Sequence, residues 1–414
     1  MSSLHSSPSD GIPSVADSPS DFLQVAKQLA AGTGPFAIDT ERASAFRYDD
    51  RAFLLQIRRN GAGTFLIDPE GGRAELSKAL GPVLNGAKWV IHAAPSDLPC
   101  LAWLGLYPGT IFDTELAARI AGYDHPNLSA MTELLLGVEL EKGYGDADWS
   151  ARPIPRKQLA YAALDVEFLL ELAEELAEIL AEDDKTEWAE AEFAEIVRRH
   201  ADVTEPQPAN WRDLKGIYTL TSPAQLNVAK ALWTRRDTLA RAKDLAPGRL
   251  LSNRTLIEIA RAVPTSEAGL RRVRGFPSRR RGASSMWIKV LEAASRTKKG
   301  EWPRLPKPSA GVPAKSSWSR EYPELWSMYQ TIRDDIEVLG EDLSMNSDTI
   351  IRTAELRAVL WAIHGDTSSR RPGDRAGSVA HPGKVKTQLI EEGAREWQAD
   401  LVAPIIVRHA FPEN

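Results

Sequence analysis

Asp39 and Glu41 stand two residues apart at the end of the apolar run Phe36-Ala37-Ile38. An extended strand puts positions i and i+2 on one face, so both carboxylates point the same way. Asp97 closes the segment His92-Ala93-Ala94-Pro95-Ser96-Asp97, while Tyr161 and Asp165 stand four apart, as neighbours on one helix face do. Converging carboxylates repel one another and stay ionised together only when cations hold them. Oxygen donors of this kind suit Mg²⁺ or Mn²⁺. Two such ions about 4 Å apart are the usual machinery of in-line phosphodiester hydrolysis. The set reads as a metal-dependent exonuclease site. Taken alone, Asp39 and Glu41 are as readily a strand end and turn; Asp97 and Asp165 give the pair its chemical meaning.

The elements that must position these residues follow from hydrophobic periodicity. Stretches 35–39, 53–58 and 64–68 read as three strands in a meander, and 88–92 as a fourth. A helix over 95–105 has proline near its start and glycine near its end, and 111–113 forms a short fifth strand. One long helix is expected over 155–180, with Leu159, Ala163, Val166 and Leu170 on one stripe and Tyr161, Asp165 and Phe168 on another face. Strands followed by strand–helix alternation imply an α/β (α+β) fold, a mixed sheet with helices packed on it. Asp113 invites a metal role but is better placed to cap the helix beginning at Thr114. His92, after a buried strand, reads as a satisfied core residue, and Cys100 as an inert core thiol.

An acid-rich helical stretch over 174–205 closes this unit, and the rest reads as all-α. The expected organisation is a disordered Ser- and Pro-rich tail at 1–21, an exonuclease domain at 22–208, a helical domain at 211–296, a Lys/Pro-rich linker at 297–318, and a third helical unit at 319–414 carrying a flexible loop at 365–383. The 414 residues are 43% hydrophobic and 26% charged, with no apolar run near the roughly 20 residues of a membrane span and no secretory h-region. A single cysteine excludes an internal disulfide and a cysteine-rich zinc site, and fits a reducing cytoplasm. The net charge of −6 is unevenly spread. Arg271, Arg272, Arg274, Arg279, Arg280 and Arg281 form a basic stretch that Lys289, Arg296, Lys298 and Lys299 extend, with Phe276 and Trp287 interleaved. It reads equally as an RNA-binding surface or as a solvated face balancing the acidic helix.

The first half resembles the ribonuclease D family of the DEDD exonuclease superfamily. The resemblance rests on Ile38-Asp39-Thr40-Glu41, the block from His92 to Asp97, and Tyr161-x-x-x-Asp165, in that order. Between them lie Leu55-Gln56-Ile57, Ile67-Asp68-Pro69, Phe112-Asp113-Thr114 and Asp148-Trp149-Ser150-Ala151-Arg152-Pro153, the last very like the family's Asp-Trp-x-x-Arg-Pro. Residues 211–296 resemble the helical HRDC module through Trp211-Arg212-Asp213-Leu214-Lys215-Gly216, Leu232-Trp233-Thr234-Arg235-Arg236-Asp237 and Arg274-Gly275-Phe276; 319–411 resembles a more divergent copy. One position departs: the family usually follows Asp-x-Glu with phenylalanine, and here Arg42 stands there.

The resemblance implies a ribonuclease H-like exonuclease domain followed by HRDC modules, with Asp39, Glu41, Asp97 and Asp165 holding two divalent ions and Asp39 bridging them. It places Tyr161 on the attacking water, in the tyrosine subtype, since Ala160 occupies the place where related enzymes have histidine. Phe46 and Tyr48 are candidates to stack on the terminal base, with core packing or loop closure as the alternative. Gln56 and Trp149 either touch substrate or brace the site, and Arg152 meets a phosphate or pairs with a carboxylate. The implied activity is a cytoplasmic 3′→5′ exoribonuclease that trims single-stranded 3′ ends of structured RNA, such as transfer-RNA precursors, to nucleoside 5′-monophosphates. RNA is the expected partner, with no membrane and no obligate protein. A DNA exonuclease with the same metals and a non-catalytic RNA-binding scaffold are the rivals.

Overall fold

In the computed structural model, which describes residues 3–141, 143–206, 209–305, 311–368 and 381–412, the segment expected to be a disordered tail is drawn onto the sheet. β1 (Ser3–His5) lies parallel to residues 138–140, and β2 (Val15–Ala16) lies parallel to Leu66 and Ile67. Ladder pairing uses backbone groups, so polar side chains do not prevent it. Two long-range contacts reinforce it: the Ser9 N–H donates to the Glu167 carboxylate at 2.8 Å, and His5 meets Phe168 edge-on at 5.5 Å. α1 (Pro19–Ala31) then starts on a Ser18 cap with proline in its first turn and buries Phe22, Val25, Ala26 and Leu29.

β3 (Thr33–Arg42), β4 (Ala52–Asn60) and β5 (Gly63–Ile67) form the expected antiparallel meander, and β6 (Lys88–Ile91) and β7 (Thr110–Asp113) extend it in parallel. The six-stranded mixed sheet runs β2-β5-β4-β3-β6-β7, while β8 (Val138–Leu140) pairs with β1. Around it lie α2 (Arg73–Leu84), α3 (Leu98–Ala102), α4 (Thr114–Ile120), α5 (Leu128–Leu136), α6 (Arg156–Glu167), α7 (Leu169–Glu182) and α8 (Thr186–His200). The single helix expected over 155–180 is two, divided at Phe168 (φ −107°, ψ 8°). The break separates two packing jobs. Ala162 and Ala163 of α6 join a small core with Leu54, Leu66 and Trp149, whereas Leu169, Leu172 and Leu176 of α7 enter the main core with Ile38, Leu55 and Ile57.

The helical unit that follows comprises α9 (Pro223–Ala242), α10 (Pro247–Leu250), α11 (Asn253–Ala262), α12 (Glu267–Arg271) and α13 (Ala283–Arg296), with its own core of Leu226, Leu232, Leu256 and Trp287. Phe276 and Trp287, read as aromatics interleaving the basic stretch, are only 7% and 1% exposed. The stretch therefore presents charge without those stacking surfaces.

α14 (Lys315–Glu321), α15 (Pro323–Asp342), α16 (Ser347–Ile350), α17 (Thr353–Ser368), α18 (Val385–Glu391) and α19 (Glu396–Ala410) form the third unit. It begins inside the stretch expected to be linker: Trp318 is fully buried, and its indole N–H donates to the Pro313 carbonyl. The loop expected at 365–383 lies largely outside the described residues. Helix order in the third unit echoes the second. α9 and α15 each have 20 residues and start with proline, each is followed by a left-handed residue (Asp244, φ 45°; Ser344, φ 48°), then by a four-residue helix and another long one. This unit shares its core with the exonuclease domain. Trp188 of α8 stacks on Trp397 of α19 at 4.9 Å, and Arg395 pairs with Glu192 at 3.1 Å and Glu195 at 3.5 Å. Gly122 (φ +99°) sits so close to the Ser344 carbonyl that a Cβ there would lie 2.0 Å from the oxygen. Only glycine fits that contact.

Candidate active site

In the β3–β4 ladder Asp39 faces Gln56 and Glu41 faces Leu54, so the two acids share the sheet face that α6 covers. α6 carries Asp165 one turn after Tyr161. The fold brings carboxylate oxygens of Asp39, Glu41 and Asp165 within 4.8 Å of one another. Asp97 comes from the other side, after the 3₁₀ turn Ala94–Ser96 and at the start of α3. It lies outside that tight group, and its Oδ1 accepts a 2.5 Å hydrogen bond from the Thr40 hydroxyl. Thr40 was not singled out from sequence. Its position between the two acids was the available signal, since alternation turns it to the opposite face, toward α3. There its hydroxyl also meets the Cys100 thiol at 3.2 Å.

Burial, only partly offset by the charge of Arg42, sets the electrostatics. Among the described residues, no lysine or arginine forms an ion pair with any of the four carboxylates. Asp39 is held well above the ordinary carboxylate range by burial, then by Asp97 and Asp165; Glu41 is raised by burial, then by Asp39, Asp165 and Asp97. Asp165 is pushed up to about 8 by burial, against a hydrogen bond from Tyr161. Asp97 rises to about 6 by burial, against the Thr40 bond and Arg42. The Tyr161 hydroxyl is raised by its own burial and by Asp165, Glu41 and Asp39, so it is protonated at neutral pH. This donor set fits a hard divalent cation: oxygen-only, buried at Glu41 and Asp97 and half-buried at Asp39 and Asp165, and mutually repulsive until positive charge arrives.

A pH dependence follows. A carboxyl whose pKa is higher in the folded than in the unfolded chain binds more protons when folded, so stability falls as pH rises toward the folded pKa. Asp165 at about 8 dominates the window between the ordinary histidine pKa and its own. There folded His92, lowered to about 4 by burial, is already neutral and opposes the fall only through the last titration of the unfolded chain's imidazole. In EDTA the melting temperature should drop between about pH 6.5 and about pH 8, and added Mg²⁺ should raise it most at the higher pH. Thermal melts at both pH values test this; equal stabilisation by Mg²⁺ at both would contradict it.

The other singled-out residues divide. Trp149 is fully buried, donates its indole N–H to the Tyr144 carbonyl, and lies 6.4 Å from the Tyr161 ring, which Tyr144 meets edge-on at 5.8 Å. Trp149 braces the tyrosine. Gln56 is fully buried beside Asp39 in the ladder, with neither amide atom hydrogen-bonded. Arg152 grips Asp68 at 2.5 and 2.7 Å and the carbonyls of Phe53 and Trp149, so it holds the chain that leads into α6. Asp113 caps α4 and also accepts from the Ala93 and Ala94 N–H groups. His92 is satisfied by Thr114, and burial pushes the Cys100 thiol up to about 12.

Phe46 and Tyr48, candidates to stack on a base or to close the loop, both contact the second unit, which fits loop closure. The Arg249 guanidinium lies 4.2 Å over the Phe46 ring, and the Tyr48 hydroxyl donates to Asp237 at 2.7 Å and accepts from Arg241. Arg51 and Arg47 on the same loop both bond Asp244. Sequence alone could not pair positions some two hundred residues apart. Arg271 bonds Ser284 and Glu267, whereas Arg272 and Arg274 are exposed.

Residues 14–181 match the family model described as 3′-5′ exonuclease, 225–284 the HRDC domain, and 311–410 the 3′ to 5′ exonuclease C-terminal domain. The chain is 30% identical over 321 residues to ribonuclease D of Acidiphilium cryptum, covering 74% of this chain and 80% of that protein. To ribonuclease D of Pseudomonas paraeruginosa it is 30% identical over 338 residues, covering 79% and 84%. Against ribonuclease D of Jannaschia the identity is 33%, over 58% of this chain, which spans 63% of that protein's length. A solved protein from Bifidobacterium adolescentis superposes with a TM-score of 0.84 at 31% identity, over 99% of this chain and 100% of that one. Escherichia coli RNase D shares the fold, with a TM-score of 0.67 at 21% identity over 97% and 99%.

Proposed function

The chain belongs to the ribonuclease D family of hydrolytic 3′→5′ exoribonucleases, and from that membership and its converging carboxylates we propose that it trims unpaired 3′ ends of structured RNA in the cytoplasm. Transfer-RNA precursors are the substrate class this reading favours, with nucleoside 5′-monophosphates as products. The observation that carries it is the convergence of Asp39, Glu41 and Asp165 within 4.8 Å, next to Tyr161.

Asp39, Glu41, Asp97 and Asp165 would hold the divalent cations, two ions of Mg²⁺ or Mn²⁺ in this reading. When bound, such ions bring the pKa of a water toward neutrality and stabilise charge on the leaving 3′ oxygen. Tyr161 keeps its proton and hydrogen-bonds Asp165, which suits it to orient a water rather than to accept a proton. Thr40 fixes one oxygen of Asp97, leaving the other free of that bond. Trp149 and Tyr144 limit the ring positions open to Tyr161. Water attacks the last phosphorus, the bond to the preceding 3′ oxygen breaks, and the chain shortens by one nucleotide. The repeated helix order of the third unit supports reading it as a second, HRDC-like module.

The test is cleavage of a 5′-labelled single-stranded RNA and its DNA twin with Mg²⁺, Mn²⁺ or EDTA. A metal-dependent ladder shortening from the RNA 3′ end is expected. Equal cleavage of DNA would replace the RNA assignment, and RNA binding without turnover would favour a scaffold.

A further inference from the structure

We propose, building on the exoribonuclease reading, that Arg42 is a substrate-binding residue that grips the RNA backbone phosphate beside the scissile linkage. Arg42 ends β3 immediately after Glu41, where the register with β4 slips: Glu41 faces Leu54 but Arg42 faces Ala52. Such an irregularity re-aims a side chain at a strand end. The place of Arg42 at the edge of the cluster is set by the chain itself, one residue after Glu41, and by its bond to the residue directly before Asp97. Its hydrogen bond goes to a neutral partner, the Ser96 carbonyl, from Nη1 at 2.5 Å. Among the described residues no carboxylate lies within the 4.0 Å of an ion pair with it.

Arg42 lines a cleft of about 980 Å³ that runs from the motif-bearing loops to α9 and α10 of the second unit. That volume is at the upper end of the range for small-ligand sites. The other arginines on its wall are already held, Arg199 by Glu195, and Arg241 by Tyr48 and Asp237. Asp50 and Glu205 also line it and oppose a polyanion along the remaining wall. Attraction for a phosphate is thus concentrated at Arg42, beside the carboxylates. Its uncommitted N–H groups form the planar fork that matches phosphate oxygens. The departure from the aromatic usual at this position places a charge where the family has an apolar ring.

The experiment is fluorescence anisotropy of a 5′-fluorescein single-stranded RNA of about twelve nucleotides, in EDTA so that no cleavage occurs. Wild type, Arg42→Ala and Arg42→Lys are compared between about 50 and 200 mM salt, with thermal melts to verify folding. Arg42→Ala should bind roughly tenfold more weakly. Its log–log salt slope should be shallower by about 0.7, the value for one phosphate contact on a single strand. Arg42→Lys should keep the slope and lose part of the affinity, because it retains charge without the fork. Unchanged affinity and slope in a folded Arg42→Ala would overturn the proposal and leave Arg42 a brace for Ser96. Absence of RNA binding by the wild type would overturn it too. Wild-type binding without cleavage in Mg²⁺ would overturn the exonuclease reading alone.

Discussion

Asp165→Asn should abolish cleavage, by at least about 10³-fold in kcat/KM, while making the metal-free protein more stable. Both effects come from one carboxylate. Asp165 is half-buried beside Asp39 and Glu41, and its removal from water pushes its pKa up to about 8. Asparagine has nearly the same shape but brings no charge, so the variant sheds first the cost of holding a charge away from water and then the repulsion from Asp97. In EDTA at about pH 8 its melting temperature should exceed that of wild type. In Mg²⁺ the order should shrink or reverse, because a ligand has gone. Melts with and without Mg²⁺ beside a single-turnover assay measure both signs. A variant that kept more than about a tenth of wild-type activity would remove Asp165 from the catalytic set. Lower stability in EDTA would contradict the electrostatic account.

Arg152→Ala should be the most damaging single change away from the carboxylates, costing about 2–3 kcal/mol of stability and a large part of kcat. Asp68 is only 6% exposed, and Arg152 binds both its oxygens while also reaching the carbonyls of Phe53 and Trp149. Removing the guanidinium leaves a buried carboxylate unpaired. Because Arg152 is about a third exposed, the expected cost sits below that of a wholly buried pair. The same contacts anchor the chain between Trp149, which packs near Tyr161, and α6, which carries Tyr161 and Asp165. Loss of anchorage therefore lowers kcat more than it raises KM. Arg152→Lys should not rescue, since a single ammonium cannot make the bidentate bond and span the two carbonyls. Denaturant melts and steady-state kinetics check this. Replacing Asp68 and Arg152 together should cost less than the sum of the single changes.

The meander, the parallel strands after it, and the carboxylates on one strand face were legible because each rests on a local period. Two-residue alternation aligned Asp39 with Glu41, and the helical turn aligned Tyr161 with Asp165. Asp113 was legible as a cap for the same reason, its partners being two and three residues ahead. The N-terminal segment was misread because polar composition reports on side chains, whereas β1 and β2 are held through backbone pairing with distant strands. The helix break at Phe168 was invisible because the apolar stripe continues through it, and only the existence of two cores divides α6 from α7.

Sequence by itself thus determined the candidate carboxylates and their pairing on single elements, Asp39 with Glu41 and Tyr161 with Asp165, because that pairing depends on neighbours within about four residues. Tertiary structure decided the rest. It left Asp97 at the edge of the cluster and tied to Thr40, and set Phe46 and Tyr48 against the second unit. It also buried Phe276 and Trp287 beneath the basic stretch and docked the third unit on α8 through Trp397 and Arg395. Each of these rests on contacts between segments that the chain brings together only on folding, and no local period encodes them.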